Sequence, residues 1–254
     1  MPEYNKIIYS VEQQVACMTL NRPDKRNALD DEIVSEVKAA LRSAASDESV
    51  RVVLITGAGK DFCSGADLAA LRRISEATVM ENLTDARNLA ELFIAMRRHP
   101  RPIVAAVRGR ALAGGCGLAT ACDIVLASES AQFGYPEVNI GFIPAMVMAI
   151  LRRSVSEKRA FELITRGEII SAAKAAEIGM INRVFADDGF ESEVDSYVAQ
   201  LAAKSASAVS LAKNLLYHMD SMAFESAIEA GVQLNAITRM TEDCRRGVER
   251  FLKK

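Results

Sequence analysis

The sequence predicts an α/β protein with a parallel or mixed sheet and a helical C-terminal part. Short apolar runs typical of buried strands alternate with helical segments in the first part of the chain, and from Ala145 onward helical patterns dominate. The chain has 254 residues, of which 50% are hydrophobic and 25% charged. A chain of this size and composition can bury a full core, so disordered, fibrous and disulfide-stabilised miniature proteins are excluded.

The chain opens with a predicted β-hairpin. Lys6–Val11 and Val15–Leu20 are rich in apolar and β-branched residues, and the polar segment Glu12–Gln14 separates them. Asp30 is then predicted to cap the start of a helix. Apolar residues follow it at helical spacing, at Ile33, Val34, Val37, Ala40, Leu41 and Ala44.

Further strands are predicted where short apolar runs are followed by a loop or a helix. These runs are Val52–Thr56, Ile103–Val107 and Asp123–Ala127. A helix is predicted over Glu81–Arg98, and Pro100 and Pro102 end it because proline cannot continue a helix. Successive strands that lead into loops and helices indicate a sheet wrapped by helices.

The C-terminal part is predicted to be almost wholly helical, with one strand at Ile181–Phe185. The predicted helices are Ala145–Arg152, Glu157–Thr165, Ala172–Ile178, Phe190–Ala203, Ala206–His218, Phe224–Arg239 and Glu242–Phe251. No Pro-, Gly- or Ser-rich linker precedes the last helices. We therefore predict an α/β core over residues 1–195 and a C-terminal helical subdomain over 196–254, packed on the core or on a neighbouring subunit.

The net charge and the hydropathy of the chain argue against two classes of binding partner, nucleic acids and membranes. Thirty-one Lys and Arg residues against 33 Asp and Glu give a net charge of −2, without a basic block, which argues against nucleic-acid binding. The first ten residues lack a basic segment followed by an apolar one, and every later apolar run is shorter than a membrane span. We expect a cytoplasmic protein that does not bind membranes.

The cysteine and histidine residues are too few and too scattered to form a disulfide framework, a metal site or a catalytic triad. The five cysteines form no C-x-x-C pair, and the chain has only two histidines. This pattern argues against a disulfide framework, a metal site and a histidine-based triad. Acid–base chemistry is therefore expected to depend on carboxylates.

Two glycine-containing turns are candidates for anion binding. Cys63–Leu68 and Ala111–Gly117 each follow a predicted strand and lead into a helix. The N–H of Ala66 would point outward, and the helix that follows Ala111–Gly117 would offer the N–H groups at its start. Together they would form an oxyanion hole if they faced one point. Each turn taken alone is more often only structural, and neither matches a nucleotide-binding motif.

Glu137 is the candidate acid or base. It follows Pro136 in a stretch that is otherwise apolar or aromatic, from Gln132 to Pro144. An apolar environment disfavours the ionised carboxylate and raises its pKa toward the range useful for proton transfer. The alternative is a glutamate in a loop that faces solvent.

These segments together closely resemble the crotonase (enoyl-CoA hydratase/isomerase) superfamily. The motifs that carry the resemblance are Leu20–Pro23, Asn27–Leu29, Ser64–Leu68, Ala113–Ala119, Cys122–Asp123 and Phe133–Glu137. The resemblance implies a spiral of β-β-α units with a C-terminal helical region used for trimerisation. It also implies a homotrimer or a hexamer built as a dimer of trimers, a coenzyme A (CoA) thioester as substrate, and no metal or further cofactor.

The resemblance also assigns catalytic roles. It maps the oxyanion hole onto the backbone N–H groups of Ala66 and Gly114, and it makes Glu137 the proton carrier. Family hydratases use a second glutamate, and Gly117 stands in its place here. Double-bond isomerisation with one glutamate is therefore favoured, while hydration remains open if a water or another side chain fills the gap. Thioester hydrolysis, decarboxylation and a non-catalytic acyl-CoA-binding scaffold are the alternatives.

The resemblance further implies a set of substrate-binding residues. They are Lys25, Arg26, Ala28, Ala66, Asp67, Leu68, Gly114 and Tyr135. Lys25 and Arg26 would meet the phosphates of CoA, or they are simply solvated. Tyr135 would hydrogen-bond the substrate or Glu137, or it packs in the interior. Ala145–Ala149 replaces a glycine-rich run of many family hydratases, so we expect an acyl pocket of different shape.

Overall fold

A computed structural model of the chain describes residues 4–65 and 68–253, without the side chains of residues 68–71. Ala66 and Asp67 therefore lie outside the described residues, as does the side chain of Leu68. The first elements are β1 (Ile7–Glu12), β2 (Val15–Leu20), α1 (Asp31–Ser46), β3 (Val52–Gly57), α2 (Leu68–Glu76), α3 (Val79–Arg98), β4 (Ile103–Val107), β5 (Arg110–Leu112), α4 (Gly114–Ala121), β6 (Ile124–Ser128) and β7 (Gln132–Gly134).

A short 3₁₀ helix over Pro136–Ile140 follows β7. The remaining elements are α5 (Ala145–Ser154), α6 (Glu157–Arg166), β8 (Ile169–Ser171), α7 (Ala172–Glu177), β9 (Arg183–Phe185), α8 (Phe190–Ala202), α9 (Ala206–His218), α10 (Phe224–Met240) and α11 (Glu242–Leu252). The predicted helical character of this part is confirmed, and α8 spans the predicted division at 195/196. That division stays a prediction.

The larger sheet has six strands in the order β1-β2-β3-β4-β6-β9. The β1–β2 pair is antiparallel, as predicted, and its turn residues Gln13 and Gln14 have φ values of 47° and 69°. This left-handed conformation matches the twist of the two strands. The other neighbouring pairs are parallel, so the sheet is mixed, which is one of the two predicted arrangements.

The helix α1 begins where the sequence indicates. The Asp30 carboxylate accepts a hydrogen bond from the Ile33 N–H at 2.9 Å, which satisfies one of the N–H groups left unpaired at a helix start. The six apolar residues predicted for its inner face are all buried. Their burial fixes α1 against one face of the sheet.

The larger sheet is covered on both faces. Val53 and Ile55 of β3 belong to the main core, whereas Val52 and Leu54 pack with residues of α8 on the opposite face. Strands buried on both faces are expected to be continuously apolar, as Val52–Ile55 is. The apolar run therefore predicted a buried strand correctly.

A second, three-stranded sheet was not predicted. Its order is β5-β7-β8, and each strand has only three residues. The prediction of a single strand after Ala145 is therefore wrong, because Ile169–Ser171 forms a second one. Such short strands have no periodic pattern to detect. Leu112 of β5 pairs with Gly134 of β7, which brings the start of α4 beside the segment that carries Glu137.

The partly buried carboxylate of Asp123 joins the helix α9 to the core. Asp123 accepts hydrogen bonds from the Ile103 N–H at 2.6 Å, from Lys213 Nζ at 2.7 Å and from the Tyr217 hydroxyl. Lys213 also donates to two main-chain carbonyl oxygens at 3.1 Å. Asp123 is therefore a structural residue. Within residues 4–65 and 68–253, no helix is both long and apolar enough to cross a lipid bilayer.

Candidate active site

The two glycine-containing turns lie against each other. A Cβ atom placed on Gly65 would be 2.7 Å from the Ala113 Cβ and 3.4 Å from the Gly114 nitrogen. Gly65 also has a φ of +94°, which side chains rarely tolerate. The Leu112 N–H donates to the Cys63 carbonyl oxygen at 3.0 Å, which fastens one turn to the other. The structure therefore places Gly65 of the first turn against the start of α4.

Gly114 is the first residue of α4 and is half-buried. Its N–H is one of the four at a helix start that have no acceptor within the helix, and the helix dipole gives it partial positive charge. Ala113 precedes it with φ 49° and ψ −126°, a conformation that costs a non-glycine residue about 1–3 kcal/mol. The Ala113 N–H donates to the Gly134 carbonyl oxygen at 2.8 Å. This geometry suits anion binding by Gly114.

Glu137 lies on the 3₁₀ helix and is 9% exposed. Its Oε2 atom is buried and has no hydrogen-bond partner within the described part of the chain. Burial raises the pKa of this carboxyl above its usual value, while a main-chain hydrogen bond partly opposes that shift. The alternative of a solvent-facing loop glutamate does not match this burial. An unpartnered buried carboxyl of raised pKa is suited to proton transfer.

Gly117 lies in α4 with no room for a side chain. A Cβ atom there would be 2.5 Å from Val147 Cγ2 and 3.5 Å from Phe93 Cζ. Val147 belongs to α5 and is itself buried. The surroundings of Gly117 are thus apolar on the sides that α3 and α5 cover. Val147 lies in the Ala145–Ala149 segment, which was expected to change the shape of the acyl pocket. Its contact with Gly117 was not predicted.

Tyr135 is fully buried directly before Pro136. Its hydroxyl lies 3.1 Å from Thr120 Oγ1 on α4. Burial raises the pKa of Tyr135 well above its usual value, so the phenol stays protonated. This environment favours the interior packing role over contact with a substrate. Thr120 was missed, because one threonine in an apolar helix carries no recognisable signal.

The loop at Lys25 and Arg26 is attached to the first turn by main-chain hydrogen bonds. The Ser64 N–H donates to the Arg26 carbonyl oxygen at 3.0 Å, and the Leu29 N–H donates to the Gly65 carbonyl oxygen at 2.7 Å. Lys25 and Arg26 are exposed, whereas Ala28 is buried. The structure therefore places two exposed cations beside the turn that leads to Ala66.

The cysteines near this region are unreactive in character. Burial raises the pKa values of Cys63 and Cys116 to about 12, so both are protonated at neutral pH. The nucleophilic form of cysteine is the thiolate. Carboxylate chemistry at Glu137 is therefore favoured over thiol chemistry.

Comparisons with known proteins are consistent with this geometry. A sequence model described as enoyl-CoA hydratase/isomerase matches residues 10–254. The chain belongs to the enoyl-CoA hydratase/isomerase family. It is 38% identical to a putative enoyl-CoA hydratase of Thermus thermophilus over 94% of this chain and 95% of that one. It is 35% identical to the 2,3-dehydroadipyl-CoA hydratase of Escherichia coli over 98% and 96% of the two chains.

Solved structures extend the family assignment to the fold. The enoyl-CoA hydratase of Mycobacterium smegmatis superposes with a TM-score of 0.94 and 32% identity, covering 98% of this chain and 96% of that one. The fold is that of the crotonases, with an α/β core and a helical C-terminal region. The fold class and the family resemblance predicted from the sequence are confirmed.

Proposed function

We propose that this family member isomerises an enoyl-CoA thioester, with Glu137 as its single general acid and base. The observation that carries the proposal is the contact between Gly117 and Val147. The resemblance places the second glutamate of family hydratases at position 117, where a Cβ atom would lie 2.5 Å from Val147 Cγ2. Position 117 thus supplies no carboxylate, and an apolar side chain fills the space beside it.

The proposed reaction moves a double bond from between C3 and C4 to between C2 and C3. The Glu137 carboxylate takes a proton from C2, which leaves a dienolate whose charge resides largely on the thioester oxygen. The protonated Glu137 then returns a proton to C4, and the C2=C3 double bond forms. One carboxyl group is sufficient, because the proton removed from one carbon is replaced at the other.

The dienolate oxygen requires hydrogen-bond donors. In the proposal these are the Gly114 N–H at the start of α4 and the Ala66 N–H. Removal of one such preorganised donor in comparable sites costs about 3–4 kcal/mol in the barrier. The half-buried position of Gly114 supports this role, because a donor shielded from water stabilises charge more strongly.

For the CoA portion we propose the loop formed by residues 25–28 and the turn at residues 66–68. The exposed side chains of Lys25 and Arg26 would bind phosphate groups as cations, and Ala28, Ala66, Asp67 and Leu68 would line the adjoining surface. The main-chain hydrogen bonds from Ser64 and Leu29 support the proposal, since they hold the loop beside the turn. CoA would enter only as part of the substrate.

Hydration of an enoyl-CoA is the second candidate. The names of the relatives in Thermus thermophilus and Escherichia coli favour it, because both are hydratases by name. Hydration would require Glu137 to act with a water held by a group other than residue 117. The proposed isomerase and the hydratase share Glu137 and Gly114. They differ in the bonds formed, because hydration adds the water oxygen to C3 and a proton to C2, whereas isomerisation moves a proton from C2 to C4.

We also propose that the chain forms a homotrimer or a hexamer through its last helices. Exposed large apolar side chains are concentrated there, and such patches commonly mark protein interfaces. They are Leu216, Phe224, Ile228, Val232, Ile237, Met240, Val248, Phe251 and Leu252. Light scattering should give three or six times the 27.5 kDa mass of one chain. A monomer at micromolar concentration would contradict this proposal.

The experiment for the reaction compares two substrates and one variant. Purified protein is incubated with crotonyl-CoA and, separately, with a 3-enoyl-CoA, while the absorbance of the conjugated thioester is recorded. We expect the 3-enoyl-CoA to gain absorbance and crotonyl-CoA to remain unchanged, and Glu137→Gln to lower the gain by a factor of about 10² to 10⁴. Glu137-dependent loss of crotonyl-CoA absorbance would instead establish the hydratase.

A further inference from the structure

The hydrogen bond between Tyr135 and Thr120 joins the two segments that carry the candidate catalytic groups. Tyr135 immediately precedes the 3₁₀ helix of Glu137, and Thr120 lies on α4, which begins at Gly114. Both side chains are buried, at 0% and 6% exposure. The contact therefore lies beneath the candidate site and away from solvent.

The direction of this hydrogen bond follows from the surroundings of Thr120. Its Oγ1 atom donates to the carbonyl oxygen of Cys116 at 2.9 Å, with that of Gly117 farther off at 3.3 Å. A threonine hydroxyl has one proton, so Oγ1 accepts from the Tyr135 hydroxyl. The result is a directed chain in which Tyr135 donates to Thr120 and Thr120 donates to the main chain of α4.

A second contact holds the same segment at the other end of α4. The Ala113 N–H donates to the Gly134 carbonyl oxygen at 2.8 Å. Positions 113 and 120 are separated by about 10 Å along the helix axis. Two contacts this far apart restrict both the position and the tilt of the segment relative to α4. The Tyr135 contact is made by two side chains, so it depends on residue identity.

We propose that Tyr135 is a positioning residue that, through Thr120, holds the Glu137 carboxyl group in its buried place next to α4. Tyr135 does not touch the substrate in this proposal. The inference rests on the proposed function for its effect on catalysis, since Glu137 must act there as acid and base. Its structural part, the confinement of Glu137, is testable without any turnover.

The test uses Tyr135→Phe and Thr120→Val, which remove the donor and the acceptor, with Thr120→Ser as the conservative variant that keeps the hydroxyl. Tyr217→Phe is the matched control, because it removes a tyrosine hydroxyl that donates to the partly buried Asp123 away from the site. Melting temperatures report stability. Infrared difference titration, with Glu137→Gln as the reference, reports the protonation of Glu137 itself.

We expect Tyr135→Phe and Thr120→Val to move the titration midpoint of Glu137 down toward the ordinary carboxyl range, because a loosened segment admits water. Thr120→Ser and Tyr217→Phe should leave the midpoint at the wild-type value. For the substrate that the wild type converts, both disruptive variants should lower kcat about 10- to 100-fold with KM changed less than about twofold. The double variant should be no slower than the slower single variant.

A purely structural role gives a different result. Tyr135→Phe would then lower the melting temperature about as much as Tyr217→Phe does, with an unchanged Glu137 midpoint, and that result would overturn the proposal. If the wild type converts neither enoyl-CoA, the proposed function fails, and the infrared titration still decides whether Tyr135 positions Glu137.

Discussion

Gly117 of α4 and Val147 of α5 are in such close contact that a Cβ atom at position 117 would lie 2.5 Å from Val147 Cγ2. Side-chain carbon atoms do not approach each other this closely, so a side chain at position 117 requires Val147 or its helix to shift. The two positions are 30 residues apart in sequence, so their contact is not visible from the sequence. In the proposed function, position 117 is where family hydratases carry their second glutamate, and Val147 fills the space beside it.

The free energy of unfolding of variants tests how this pair is packed. Gly117→Ala should lower the free energy of unfolding by about 1–3 kcal/mol, because the added methyl group overpacks the α4–α5 contact. Combination with Val147→Ala should recover much of that loss, since the Cγ2 atom is then absent. Denaturant unfolding of both single variants and the double variant measures the coupling. Simple additivity of the two single effects would show that the positions do not share this space.

The same pair is expected to decide between the two reactions. Gly117→Glu together with Val147→Ala provides a second carboxyl group and space for its first carbon atoms. We expect the double variant to hydrate crotonyl-CoA at least about tenfold faster than wild type, because acid–base groups typically contribute 10² to 10⁴. Gly117→Glu alone is the control and should be unstable and inactive. A folded double variant without hydration would show that position 117 does not set the reaction.

The buried carboxyl of Glu137 is expected to reduce stability at neutral pH. Its pKa is raised by burial, so folding favours the protonated form, and the fold loses stability as pH rises from the usual carboxyl pKa through the raised one. Glu137→Gln should therefore melt at a higher temperature than wild type at pH 8, because glutamine has no charge to bury. Below the usual carboxyl pKa the difference should vanish. Calorimetry at both pH values tests this, and an equal difference at both would contradict it.

Loss of the buried Lys213 cation should destabilise the fold more than loss of an exposed one. Lys213→Met leaves the Asp123 carboxylate without its cationic partner, which typically costs about 3–5 kcal/mol. Lys174→Met, whose partner Glu177 is exposed, is the matched control and should cost less than about 1 kcal/mol. Denaturant unfolding compares the two variants. Similar losses for both would show that the Asp123 contact does not anchor α9.

The long periodic elements were predictable from the sequence because burial sets their pattern directly. The bounds of β2, β4 and α9 agree with prediction, and the inner face of α1 was predicted residue by residue. The three-residue strands of the second sheet were not predictable. They are too short for any period, and their pairing depends on distant segments that the turns bring together.

The candidate site was predictable in its chemistry and less so in its contacts. Glu137 and Gly114 were recognisable from the motifs around them. The surroundings of Gly117 and the partner of Tyr135 were not, because Val147 and Thr120 come from other parts of the chain. A sequence motif specifies which group is present, whereas the space and hydrogen bonds around it depend on tertiary packing.

The anchoring of α9 through Asp123 has a consequence for the order of folding. Lys213 and Tyr217 lie 90 and 94 residues after Asp123 in the sequence. During synthesis the earlier strands are therefore available for pairing long before these partners exist. Until α9 docks, Asp123 has only the Ile103 N–H of its three partners, and we expect the docking of α9 to follow the pairing of these strands.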